Sequence, residues 1–315
     1  MNYNIKYLLG EKKNFYKANL HSRSNLSDGA LSREELKKIY KENGYSILAI
    51  TDNEPLPQTD ISDESFLVMS GFDFSAKETA SEKKLKKSCT FTALSLNETP
   101  IAVNKFDAEY GSDKINDFLN QYKENGYFLT YDHPIRSLEI MPDFLKYKPI
   151  DAMEIMNYSS LCEGYDEYNG IGYDIFLRYG NRISCIATDG NRNLRPLDSE
   201  RSDSFGAFTM INADSLKYED IAKSLRQGNF YASEGPEINA IWVKGDSLNI
   251  RCSEADQVIV SAGRRRGRNV YSNDIAPLTA ATFKIFPEDI FVRVVVVDKQ
   301  GRKAYTNAYY VNELM

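Results

Sequence analysis

Short apolar, β-branched runs recur along this chain, each closed by a polar cluster and alternating with segments of helical spacing. Ser46-Ile-Leu-Ala-Ile-Thr51, Gly126-Tyr-Phe-Leu-Thr-Tyr131, Ala152-Met-Glu-Ile-Met156 and Ile183-Ser-Cys-Ile-Ala-Thr188 are the clearest runs. Their length and composition read as strands, and the alternation predicts an α/β fold. Ser32 followed by Glu35 forms a capping box. Leu36, Ile39 and Tyr40 then recur at helical spacing until Gly44, so a β-α-β unit is expected over 15–51.

From about residue 233 the texture changes to β runs broken by Gly, Asp and Asn. Ile238-Asn-Ala-Ile-Trp-Val243, Gln257-Val-Ile-Val-Ser261, Ala281-Thr-Phe-Lys-Ile285 and Phe291-Val-Arg-Val-Val-Val-Val297 belong to it. A boundary at 231–236 divides the 315 residues into an N-terminal segment (1–14), a large α/β domain (15–232) and a small antiparallel β domain (233–315).

The function classes left open are narrow. No stretch approaches the roughly 18–20 apolar residues of a membrane helix, and Lys6, Lys12 and Lys13 flank too short an apolar patch for a secretory leader. A cytoplasmic protein is expected. Cys89, Cys162, Cys185 and Cys252 lack CxxC spacing, so they read as buried or indifferent thiols. A net charge of −6 argues against coating nucleic acid. The run Arg264-Arg265-Arg266-Gly267-Arg268 reads as an exposed hairpin loop rather than a phosphate grip.

In an α/β barrel or sheet the chemistry sits where strands end. After the first strand, Asn19-Leu-His21-Ser-Arg23 places His21 and Arg23 on one side by period-two spacing, and Asp28 follows in the turn Ser27-Asp28-Gly29. The other strand ends carry Thr51-Asp52-Asn53, Gly71-Phe-Asp73, Tyr131-Asp132-His133-Pro134 and Thr188-Asp189-Gly190-Asn191. Glu154 and Asn157 lie on and beyond a further strand. Glu154 alternates with apolar neighbours, so it faces either the lumen or solvent.

In order and spacing these motifs resemble the PHP (polymerase and histidinol phosphatase) superfamily. Its pattern runs His-x-His-Thr-x-x-Ser-Asp-Gly, Thr-Asp-His, Gly-x-Glu, a lone His, Asn-His-Pro and Ser-Asp-x-His. Ser224-Leu-Arg-Gln-Gly-Asn-Phe-Tyr-Ala-Ser-Glu-Gly-Pro236 resembles the end of that domain in two-domain members with a β-rich extension. The resemblance implies a distorted barrel of about seven β/α units, (β/α)7, with two or three divalent metals that activate water against a phosphoester. Position by position it implies His21, Asp28, Asp73, His133 and Asp189 as metal ligands, with His133 and Asp189 also catalytic. Four positions depart from the pattern. Arg23 stands for the second histidine, Asn53 for that of Thr-Asp-His, Thr90 for the lone histidine and Asn191 for the last. The chain has only two histidines.

Imidazole is the ligand that holds zinc, manganese or iron firmly in such sites, so the metal is expected at reduced occupancy or absent, with magnesium a further candidate. Arg23 among Asp28, Asp73 and Asp189 supplies fixed positive charge where a metal would stand, and joins His133 and Asp189 as an expected catalytic residue. The expected protein is therefore a phosphoesterase-like chain with a thinned site, in which Arg23, Asn53, Asn191 and Glu154 contact a small anionic or phosphorylated ligand. Two alternatives stay open: an active hydrolase with one or two metals, and a scaffold acting through its β domain.

Overall fold

The structure, a computed structural model, describes residues 4–55, 60–79, 86–273 and 276–314; the first three residues of the predicted N-terminal segment lie outside it. The chain opens with β1 (Ile5–Leu9), β2 (Asn14–Asn19), α1 (Arg33–Glu42), β3 (Ile47–Asn53), β4 (Leu67–Lys77) and β5 (Ser88–Ser95). The capping box forms as predicted: the Glu35 amide donates to Ser32 Oγ at 3.2 Å, and Glu35 Oε2 accepts from the Ser32 amide at 2.8 Å. β3 is apolar on both faces because helices and the β domain cover both sides. Ile47 and Ala49 face one cluster, Leu48 and Ile50 another.

There follow α2 (Lys114–Glu124), β6 (Tyr127–Tyr131), α3 (Met141–Phe144), β7 (Ala152–Asn157), α4 (Tyr158–Cys162), α5 (Gly170–Arg178), β8 (Ser184–Thr188), β9 (Phe208–Ala213), α6 (Tyr218–Gln227) and β10 (Phe230–Ser233). Strands β2–β3–β4 and β6–β7–β8 pair in parallel, whereas β4–β5, β5–β6, β2–β9 and β9–β10 are antiparallel. The result is a mixed, parallel-rich α/β sheet, and an unbroken (β/α)7 alternation does not form. Only residues 78–87 join β4 to β5, fewer than the dozen or so that a parallel crossover needs, so β5 returns antiparallel. No ladder joins β8 to β9 among the described residues. Instead Thr209 Oγ1 donates to the Ala187 carbonyl at 2.9 Å and accepts from its amide at 3.2 Å. Inside the curve, Leu20, Ile47, Met69, Leu94, Phe128, Ile186 and Ile211 pack together. Each such side chain contributes roughly 1.5–3 kcal/mol by burial.

The rest of the chain is β11 (Ile238–Lys244), β12 (Ser247–Ala255), β13 (Gln257–Ala262), β14 (Arg268–Tyr271), β15 (Leu278–Lys284), β16 (Phe291–Val297), β17 (Lys303–Thr306) and β18 (Tyr309–Tyr310). A four-stranded antiparallel sheet, β1-β11-β12-β15, lies over β14-β13-β16-β17, with Ile241, Leu248 and Ile250 meeting Val258, Val260, Val294 and Val296 between them. Residues 5–9 of the segment 1–14 therefore pack with the C-terminal β strands. Residues 232 and 233 lie within one strand, β10, which bridges β9 and β17, so hydrogen bonding runs unbroken from barrel-like sheet to β layer. The arginine run lies in the β13–β14 connection, and Arg268 reaches the buried Asp289 at 3.0 Å.

Candidate functional site

The strand ends converge on His21. Beyond β2 the chain is held by a parallel bridge between Ser22 and Asn191, and the Arg23 amide donates to the Asn191 carbonyl at 3.0 Å. His21 and Arg23 then point together at Asp73, in the middle of β4. His21 Nε2 lies 3.5 Å from Asp73 Oδ2, to which Arg23 Nε donates at 2.8 Å and a terminal guanidinium nitrogen also donates. The other terminal nitrogen forks onto Asp28 at 2.8 and 3.0 Å. Gly29 permits this turn: a Cβ there would stand 2.2 Å from the Arg23 carbonyl oxygen.

Glu154 projects from β7 into the lumen, fully buried, and every one of its lone pairs is used. Oε1 takes His21 Nδ1 at 2.9 Å and Thr188 Oγ1 at 2.5 Å; Oε2 takes the His133 amide and Asn157 Nδ2, each at 2.9 Å. Burial opposes charge on His21, but Glu154 and Asp73 outweigh it and raise the imidazole to about 10. The same pairing outweighs burial at Glu154 and holds it at about 2. Asp73 is likewise kept below its ordinary value, its burial overcome by Arg23 and His21. His133 behaves oppositely. Burial, with His21 near by, lowers it to about 3, so it is a neutral imidazole whose Nδ1 meets Ser137 Oγ at 3.2 Å. Its backbone has φ +28°, a strained value for a residue with a side chain.

The remaining expected residues are placed differently. Asp189 is fully buried and its carboxylate is filled by Tyr40 OH at 2.6 Å and the amides of Phe205, Gly206 and Ala207 at 2.9–3.0 Å. Burial raises it to about 6 despite these donors. Asn191 is locked between Asn19 and Asn193. Neither lines the pocket above the site, whereas Arg23, Asp28, Asn53, Asp73, Thr90 and His133 do.

That pocket, about 530 Å³, also holds two arginines that strand-end reasoning did not single out. Arg136 donates to Glu163 at 3.0 Å, and Arg192 lies 3.2 Å from Asp28 and 3.9 Å from Glu163. Arg136 is lowered by burial first, and the like charges of Arg192 and Arg23 add to the effect. Three guanidiniums thus share one concavity, which suits an oxyanion.

A third residue also went uncounted. Asp132, just past β6, is fully buried, and its ligand atom lies within 4.8 Å of those of His21 and Glu154. Burial pushes it well above the ordinary carboxylate range. Asp132 Oδ1 and Asp73 Oδ1 are both buried without a hydrogen-bond partner, the state expected of oxygens awaiting a cation. His21, Asp132 and Glu154 place ligand atoms close enough together for one divalent ion. They do not fit a cluster of two or three, since Arg23 occupies Asp73 Oδ2 and Asp28, and Asp189 has no lone pair to offer.

No family model and no curated protein matches the chain. Among solved structures, the chain is similar to PHP-like metal-dependent phosphoesterases. One is a two-domain protein containing a predicted PHP-like metal-dependent phosphoesterase from Bacteroides vulgatus, at 14% identity over 98% of this chain and 99% of that one, with a TM-score of 0.49. Another is a candidate metal-dependent phosphoesterase from Bifidobacterium adolescentis, at 9% identity over 55% of this chain and 86% of that one, with a TM-score of 0.36.

Proposed function

We propose that this chain is a phosphoesterase-related protein that binds a small phosphate-bearing ligand in the 530 Å³ pocket and turns it over weakly or not at all. The observation that carries this reading is Arg23, bonded to both Asp73 and Asp28 with Arg136 and Arg192 beside it. Fixed guanidinium charge stands where a hydrolytic centre of this type would need a second cation. Asp28 and Glu163, which hold Arg23 and Arg136 on the pocket side, are partly exposed, at 45% and 40%, so a phosphate can compete with them for these arginines. Arg23 and Arg136 would take the phosphoryl oxygens, Arg192 would neutralise the remaining charge, and Asn53 at the rim would contact the rest of the ligand.

The orphaned oxygens of Asp73 and Asp132 favour a second reading, a one-ion hydrolase. His21, Asp73 and Asp132 would hold the ion, with Glu154 orienting His21 through Nδ1. When bound, such an ion lowers the pKa of water and offsets developing phosphoryl charge. His133, neutral and lining the pocket, would face the ligand as a hydrogen-bonding imidazole.

Calorimetric titration with inorganic phosphate in excess chelator tests the first reading. Binding should persist without metal and weaken at least tenfold in Arg136→Met, which leaves the Arg23–Asp73 pair intact. No phosphate binding under these conditions, with or without chelator, would overturn it. Release of p-nitrophenol from p-nitrophenyl phosphate only when metal is added would transfer the assignment to the second reading.

A further inference from the structure

Asp73, Asp132 and Glu154 bring three buried carboxylates around one imidazole, and β5 is what brings the first two together. On β5, Thr92 pairs in register with Asp73 of β4 on one side and with Thr130 of β6 on the other. Two residues past Thr130, Asp132 is fixed by its amide, which donates to the Thr90 carbonyl at 3.0 Å, and by its Oδ2, which accepts from Thr92 Oγ1 at 2.7 Å. This leaves Oδ1 buried without a hydrogen-bond partner. An orphaned buried carboxylate oxygen is costly, and Asp73 and Asp132 each carry one.

We propose that Asp132 is a metal ligand of this chain, and that with His21, whose ligand atom lies within 4.8 Å of its own, it forms the core of a one-ion centre for a divalent cation such as Mn²⁺, which the orphaned oxygen of Asp73 would complete. The inference rests on the one-ion reading above and deepens it, since Asp132 is a carboxylate at a position where the resembling family carries asparagine. Each of the two aspartates keeps one free oxygen for the ion, and Glu154, with all its lone pairs used, acts on it only through His21. A donor set of carboxylates and one imidazole, with no thiolate, admits manganese among the divalent ions. Arg23 stays on Asp73 Oδ2, so the ion and the guanidinium share one carboxylate. That sharing limits affinity and explains how a phosphate-binding arginine and a metal ligand coexist in adjacent positions.

The test is titration of chelator-stripped protein with Mn²⁺, followed by the loss of the free-ion electron paramagnetic resonance signal. The wild type should take up one Mn²⁺ per chain, Asp132→Asn should bind at least tenfold more weakly, and Mn²⁺ should raise the melting temperature of the wild type alone. In chelator the two should melt alike, because asparagine keeps an oxygen for Thr92. Should Asp132→Asn fail to fold, pulsed resonance of the wild type still decides: bound Mn²⁺ must show coupling to a histidine nitrogen. No uptake by the wild type, equal uptake by the variant, or bound Mn²⁺ without nitrogen coupling would overturn the proposal. Phosphate binding in chelator is scored separately, so loss of the metal centre and loss of the ligand reading are distinguishable.

Discussion

Arg23 carries two jobs in one side chain: it neutralises a buried carboxylate and presents a guanidinium to the pocket. Arg23→Met should therefore do more than weaken phosphate binding. Asp73 is 1% exposed, and removing its main counter-charge leaves an uncompensated buried carboxylate, a loss of about 3–5 kcal/mol. Urea unfolding of the variant should show that loss, and Arg23→Lys, which keeps the charge but not the planar fork, should fall between. A variant as stable as the wild type would mean that His21 alone holds Asp73. His21 and Arg23 were legible in the sequence through their period-two spacing after a strand, and Asp73 through its register with the motifs of the resembling family. Glu154 was legible as an alternating residue, and its bonds to His21 and His133 select the lumen. Asp132 stood beside His133 in the same strand-end cluster but matched no ligand position of the resembling family, so it went uncounted. Arg136 and Arg192 lie in loops without periodicity, where only the folded chain shows what they approach.

Among the elements, the loop after β6 is held by chemistry that its spacing does not announce. Glu139 is 6% exposed and accepts from Tyr131 at 2.6 Å, Tyr147 at 2.7 Å and Tyr110 at 3.0 Å, tying β6 to two loops below the site. Burial raises its pKa above the ordinary glutamate value in spite of these donors. The folded state therefore holds this proton more tightly than the unfolded chain does. Between the unfolded pKa of about 4.3 and the raised folded value, the folded state binds more protons, so this group's contribution to stability falls as pH rises. Glu139→Gln removes the titration. The stability of the wild type relative to Glu139→Gln should grow as pH falls through that window, read from denaturant midpoints at several pH values. A difference that stays constant, or shrinks, would mean that Glu139 is charged in both states. Local elements such as α1 were readable because capping and periodicity act within a few residues. The pairing of β1 with β11 links residues more than 230 positions apart, and no local pattern encodes it.

For the molecule as a whole, the sequence shows a change of texture near residue 233, whereas the folded chain shows continuity. β10 joins the two parts through backbone hydrogen bonds, β1 crosses from the start of the chain to the β layer, and Leu36, Tyr40 and Leu48 share one cluster with Ile241 and Val260. A buried ion pair adds to this: Arg293 of β16, 5% exposed, donates to Asp174 of α5 at 2.7 Å. Shared strands and a shared core leave neither part a closed surface of its own, so the two should unfold together. The single tryptophan, Trp242 on β11 beside Tyr7, makes this measurable, since its fluorescence reports the β layer while far-ultraviolet circular dichroism at helical wavelengths reports α1 to α6. The two urea transitions should coincide in midpoint and slope. In Arg293→Met, which leaves Asp174 with Arg178 alone, both midpoints should fall together. Separation of the fluorescence and dichroism curves in the wild type would show that the texture change marks an independently folding unit, and that the continuous sheet contributes little to cooperativity. Coincident curves that shift together in the variant would make the β layer part of the scaffold that fixes the strand ends around His21.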